Sequence, residues 1–222
     1  MSEKTKKLTM LAMLAAISYL MVALIHIPIF PAAPFLTYEP KDVVIVIGGF
    51  LFGPAASALL AVVVATIELV TFSATGFWGW MMNILSTVSF ACVAAFFYKK
   101  KHTVKGAVMG LICGVFSVSL VMVLWNYFVT PIYMGYPREA VAAMLLPVFL
   151  PFNLIKGTLN LAWTLLIYKP VVTGLRKTGI LPKSTTTAGI TGGKKFNPGV
   201  MLVGALILIS CVLLILVIRG II

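Results

Sequence analysis

Asn153, Lys156 and Asn160 recur at spacings of three and four inside an otherwise apolar stretch of a 222-residue chain. On a helix this spacing sets all three on one face. An ammonium carries donors only, and each asparagine amide carries donors and an acceptor, so the stripe suits a ligand edge of alternating polarity. Polar groups inside an apolar span are costly and by default mark function. The competing reading is that Lys156 reaches outward to lipid headgroups along its own stem, which leaves the two asparagines unexplained. Asn126 and Asn83, in two other apolar stretches, join the set as ligand contacts or as amides that bond neighbouring helices. Glu68, near the end of a third, is open to three readings: cavity wall, helix-end partner, or a reach to interfacial water. Ahead of the short apolar segment 43–53, Asp42 fits an N-cap. Tyr38 and Glu39 have no such structural use and are expected to fold over a pocket as a lid.

Other chemistries lack their parts. The chain has two histidines, His26 and His102, far apart and on opposite predicted sides, and one aspartate, Asp42. No phosphate-binding glycine loop, H-E-x-x-H or G-x-S-x-G sequence occurs. Cys92, Cys113 and Cys211 lie singly in apolar stretches, with neither disulfide nor metal spacing. A catalytic constellation is hard to assemble from these residues, and the chain reads as a non-enzyme without cofactor or metal.

The elements that must position the polar stripe follow from composition. Hydrophobic residues make up 61% of the chain and charged residues only 10%, and mean hydropathy is +1.12. A soluble domain carries about 25% charged residues, so lipid is the solvent for most of this chain. The net charge of +12 does not point to nucleic acid, because the basic residues punctuate apolar segments as topogenic charges do. Segments 8–27, 54–72, 79–98, 106–128, 148–168 and 200–218 are long enough to span, and 43–53 is a short apolar segment closed by Gly53-Pro54. The run from Leu8 is too long for a signal-peptide core and is expected to stay as a first helix.

Lys4, Lys6 and Lys7 put the N-terminus in the cytoplasm. If 43–72 crosses twice, 13 of the 17 basic residues fall inside, including Lys99-Lys100-Lys101; a single crossing puts that cluster outside. Two crossings are therefore expected, giving seven spans, an external C-terminus, and outer loops at 28–42, 73–78 and 129–147. Pro28, Pro31, Pro34 and Pro40 make the first of these loops a stiff extended strap. Phe77, Trp78, Trp80, Tyr127, Tyr133 and Tyr136 gather at the outer edge as an aromatic belt, from which one or two residues are free to stack on a planar ligand. Segment 173–199, rich in Gly, Ser and Thr beyond residue 178, reads as a flexible cytoplasmic linker between a body at 1–172 and a further membrane helix at 200–222. Ala12 and Ala16, four apart in the first span, allow close approach of another helix.

Residues 38–54, YEPKDVVIVIGGFLFGP, resemble the substrate-binding S components of energy-coupling-factor (ECF) vitamin transporters, specifically the riboflavin type. The likeness extends to Met82-Asn83, to Trp125-Asn126-Tyr127-Phe128 with Pro131 and Tyr133, and to Pro151-Phe152-Asn153-Leu154-Ile155-Lys156-Gly157, covering roughly residues 8–172. It implies an all-α membrane fold in the cell membrane, a six-helix S-component bundle with a short second helix, to which this chain adds one C-terminal transmembrane helix. It further implies that Ala12 and Ala16 dock a transmembrane coupling subunit served by two ATPases, and that Asn126, Asn153 and Lys156 hold a flavin. Tyr38 and Glu39 match the family less securely.

The chemistry of the residues agrees with a flavin without naming one. Its pyrimidine edge alternates acceptors with an N–H donor, which asparagine amides match. A phosphorylated flavin asks for several cations, and Lys156 is joined only by Lys41 and Arg138 from the loops. Riboflavin is therefore expected ahead of flavin mononucleotide or another vitamin, carried as ligand rather than cofactor. The remaining alternatives are a membrane enzyme and an assembly protein whose asparagines merely join helices.

Overall fold

Helices satisfy their own backbone groups where no water reaches them, and the apolar stretches of this chain fold accordingly. The computed structural model describes residues 2–31, 33, 35–71, 75–177 and 198–222. Their order is α1 (Glu3–Leu24), β1 (Ile27–Pro28), β2 (Thr37–Tyr38), α2 (Lys41–Phe52), α3 (Pro54–Thr71), α4 (Gly76–Lys101), α5 (Val104–Phe128), α6 (Thr130–Met134), α7 (Arg138–Met144), a π-helical turn (Leu145–Phe149), α8 (Leu150–Lys177) and α9 (Pro198–Ile218). Among the described residues six helical stretches are long and apolar enough to cross a bilayer. The twelve residues of α2 reach only about 18 Å at 1.5 Å each.

This short helix is the axis of the bundle. Every residue from Lys41 to Phe50 is buried, and α1, α3, α4 and α8 all pack on it. Gly49 lets them come close: the Ser57 hydroxyl and the Ala95 methyl occupy the space a Cβ there would need. Gly53 then turns the chain with φ +92°, and Pro54 opens α3. The ammonium of Lys7 stands 5.8 Å from the Phe52 ring centroid, and the Lys99 side chain lies against Gly53. The start of α1 and the ends of α2 and α4 therefore share one end of the bundle. Lys41 at the head of α2 meets Glu68 near the end of α3, so these two helices run in opposite directions, as the charge pattern requires.

Several expectations change. Asp42 is not a cap: α2 begins at Lys41, with Pro40 at the N-cap and no side-chain capping bond. The Asp42 carboxylate points inward and accepts from Thr87 Oγ1 at 2.7 Å and Asn160 Nδ2 at 3.3 Å. The loop expected as an extended strap forms a small hairpin, with Ile27 opposite Tyr38 and Pro28 opposite Thr37. The loop expected at 129–147 is largely helical, as α6, α7 and the π-turn around Pro147, whose missing N–H breaks the regular ladder. α8 runs on to Lys177, five residues into the segment read as linker; the rest of that linker, 178–197, lies outside the described residues. Residues 72–74, around the start of the expected 73–78 loop, also lie outside them.

α9 packs antiparallel to α8. Gly204 sits against Ala162, Leu165 and Leu166, and Cys211, one helical seam further on, packs with Phe152, Ile155 and Leu159.

Candidate functional site

Two adjoining hollows lie at the hairpin end of the bundle. One, of about 80 Å³, is mainly apolar, walled by Met82, Met122, Tyr133 and Phe152 and edged by the amides of Asn83, Asn126 and Asn153. The other, of about 260 Å³, has His26, Thr37, Glu39 and Glu68 on its wall. Phe35, Leu36, Met82, Asn83, Phe152 and Lys156 line both. Together they reach the lower end of the roughly 300–1,000 Å³ range of small-molecule sites, with the mix of apolar wall and few polar groups those sites share.

The helices fix the amides of the apolar hollow. Asn126 donates one N–H to Met122 O at 2.7 Å and accepts from Thr130 Oγ1 at 2.9 Å. Asn153 donates one N–H to Phe149 O at 2.8 Å. Each thus spends one donor on a carbonyl one turn back, which orients the amide and leaves a second N–H for a guest. Lys156 is half-buried, lines both hollows, and has no hydrogen bond or ion pair among the described residues.

Behind the two carboxylates of the polar hollow lies a cation absent from the candidate set. Lys41 Nζ donates to Glu68 Oε1 at 2.8 Å and Oε2 at 2.7 Å, and lies 3.2 Å from Glu39 Oε2. Asn83 Nδ2 adds a bond to Glu68 Oε2 at 3.0 Å, Thr37 donates to Glu39 at 3.3 Å, and His26 Nε2 stands 3.7 Å from Glu39. Of the three readings open for Glu68, the cavity wall holds, with its carboxylate already committed to Lys41. The sequence carries one signal for Lys41, a lysine heading an apolar helix in a chain with few acids; its partner 27 residues on is not readable from spacing.

Burial opposes ionisation of Glu39, but the ammonium groups of Lys41 and Lys156 more than offset it, with the Lys41 bond and His26 adding to them. Its carboxyl therefore stays below the ordinary carboxylate range. A carboxylate held low in the fold stabilises fully above its unfolded value and loses that contribution as pH falls through its folded one. Thermal unfolding of the purified chain is expected to hold steady from neutral pH down to the ordinary carboxylate range, then to weaken below it. Glu39→Gln is expected to remove that part of the acid sensitivity.

Two expectations separate at this point. Tyr38 is not on the wall of either hollow. Its hydroxyl donates to Asn160 Oδ1 at 3.1 Å, and its ring packs with Phe152, Ile155 and Cys211. Burial, with Asp42 close by, holds the phenol protonated well above its usual value. The phenol ties the hairpin to α8, and lifting it would strand a buried amide. Asn160 is tied between Tyr38 and Asp42 and also lines a narrow gap together with Asn153 and Lys156. Of the aromatic set, Tyr133 lines the apolar hollow, while Phe77, Trp78 and Tyr136 are exposed. Ala12 and Ala16 are exposed on α1, beside the buried Leu11, Leu14, Ala15 and Ser18.

Residues 6–168 match the family model described as "ECF transporter, substrate-specific component". The chain belongs to this family. Among its relatives, "Riboflavin transporter RibU" of Staphylococcus aureus is 30% identical over 79% of this chain and 95% of the relative. "Riboflavin transporter FmnP" of Bacillus subtilis is 27% identical over 69% and 85% respectively. A solved structure described as "Structure and mechanism of the S component of a bacterial ECF transporter" superposes with a TM-score of 0.69 at 29% identity, covering 78% of this chain and 99% of the other. This substrate-specific component is thus a multi-pass membrane protein with a role in uptake and is not an enzyme. Its α9 lies beyond the residues of the family model.

Proposed function

We propose that this substrate-specific component binds riboflavin from outside the cell and delivers it inward, together with a separate transmembrane coupling subunit and two ATPases. The observation that carries the reading is Lys156, an ammonium with no hydrogen bond or close ion pair among the described residues, lining both hollows next to the oriented amides of Asn126 and Asn153. A pyrimidine-like edge satisfies all three, the apolar hollow takes the flat ring, and the polar hollow takes the ribityl hydroxyls, which find carboxylate acceptors in Glu39 and Glu68. The relatives named as riboflavin transporters support the same ligand. The N-terminus is cytoplasmic and the C-terminus external in this reading, following the lysine pattern. The exposure of Ala12 and Ala16 supports their use in docking the coupling subunit.

The test is to purify the chain from riboflavin-fed cells and record its absorption spectrum. A bound flavin band is expected; its absence, together with no binding in titration, rejects the assignment. Flavin mononucleotide is expected to bind more weakly. Lys41 is already shared by two carboxylates, and Arg138 stands over the Tyr127 ring at 5.7 Å, leaving a phosphate one cation where it needs several. Competition titration with the two flavins measures the difference.

A further inference from the structure

We propose that α9 forms the outer backing of the ligand site and, by pinning the β1–β2 hairpin to α8, sets how long the ligand stays. The inference rests on the cavity being the ligand site. Gly204, Ile207, Leu208, Cys211, Ile215 and Ile218 recur at spacings of one, three and four and form the inward seam of α9. On the other side Leu202, Leu206, Ile209 and Val217 are more than half exposed. The seam has two partners at once: Phe152, Ile155 and Leu159 of α8, and Ile29, Phe30, Leu36 and Tyr38 of the hairpin segment.

Leu36 and Phe152 also line both hollows. A single layer of side chains therefore separates α9 from the guest. Apart from bonds within itself, the hairpin segment is tied to the bundle by the Tyr38–Asn160 bond, the Phe35 ring against Phe149 and, at its foot, the Glu39–Lys41 pair. To lift it from the cavity, the chain must strip Ile29 and Tyr38 from α9 or carry α9 along. In lipid, helices associate through close packing rather than water exclusion, so the seam's small residues matter most. A Cβ at 204 would lie 3.4 Å from Leu166 Cγ and 3.5 Å from both Ala162 O and Leu165 Cβ. Alanine fits there, and a larger side chain wedges the helices apart.

The experiment uses the full chain with Gly204→Phe, and Gly204→Ala as the tolerated control. Maleimide labelling of Cys211, located by mass spectrometry, reports whether α9 has moved. Hydrogen exchange of residues 27–38 without ligand reports the hairpin, and fluorescence reports riboflavin release. Gly204→Phe is expected to expose Cys211, speed hairpin exchange and accelerate release roughly tenfold, since changes of this kind act mainly on dissociation. A labelled Cys211 with unchanged hairpin exchange overturns the proposal. Should Gly204→Phe fail to fold, Ile207→Ala with Ile215→Ala thins the seam without a wedge, and hairpin exchange equal to wild type in that variant also overturns it. If the wild-type chain binds no riboflavin, the ligand assignment falls, and the exchange arm still decides the role of α9.

Discussion

Lys156→Met is expected to weaken riboflavin binding roughly 10- to 150-fold while costing the ligand-free chain little stability. The size follows from the loss of a hydrogen bond to a charged group, about 1.5–3 kcal/mol, at 1.4 kcal/mol per decade of affinity. The small size of the stability change follows from the structure. Among the described residues Lys156 makes no hydrogen bond or close ion pair, and the Glu39 carboxylate whose ionisation it favours keeps its 3.2 Å pair with Lys41, so removing Lys156 strands little. Titration of purified protein with riboflavin, beside thermal unfolding without it, separates the two effects. A variant that loses stability in step with affinity would make Lys156 a structural residue, and its role as ligand contact would fall.

How much of this was legible in the sequence depends on the range of the interaction involved. The stripe of Asn153 and Lys156 was readable because both lie on one helix, where spacing alone fixes the face. Asn160, one turn further on, shares that face, but spacing does not show that its amide is also engaged elsewhere. Its partners, Tyr38 and Asp42, are 122 and 118 residues away, and only the packing of three elements decides that the amide is spent on them. The reversal of the chain between α2 and α3 was readable from lysine parity, a global rule that needs no contact map. The place of α2 at the bundle axis was not, since spacing does not show that the Ser57 hydroxyl and Ala95 methyl come to lie against Gly49. Asp42 was misread for a related reason. Beside a helix start a carboxylate suits a cap, but in an apolar interior the hydroxyl of Thr87 and the amide of Asn160 offer it better-protected partners.

Lys41→Met is expected to cost about 3–5 kcal/mol, the usual penalty for leaving a buried charge without its partner. Lys41 and Glu68 are only 2% and 3% exposed, and removing the ammonium leaves the Glu68 and Glu39 carboxylates facing each other across the polar hollow. Against a total stability of about 5–15 kcal/mol this is enough to unfold or aggregate much of the chain, seen as a collapsed unfolding midpoint and loss of monodispersity in detergent. Adding Glu68→Gln should recover a large part of the loss, because a neutral amide still accepts from Asn83 and no longer needs a cation. The cycle of single and double variants measures that coupling directly. Recovery would establish that Lys41 acts through Glu68, whereas an unaffected Lys41→Met would dismiss the network as a support of the site. The two lysines then divide the work by their partners. Lys41 spends its charge on holding α2 to α3, and Lys156, which makes no close ion pair among the described residues, turns its charge to the hollows and the guest.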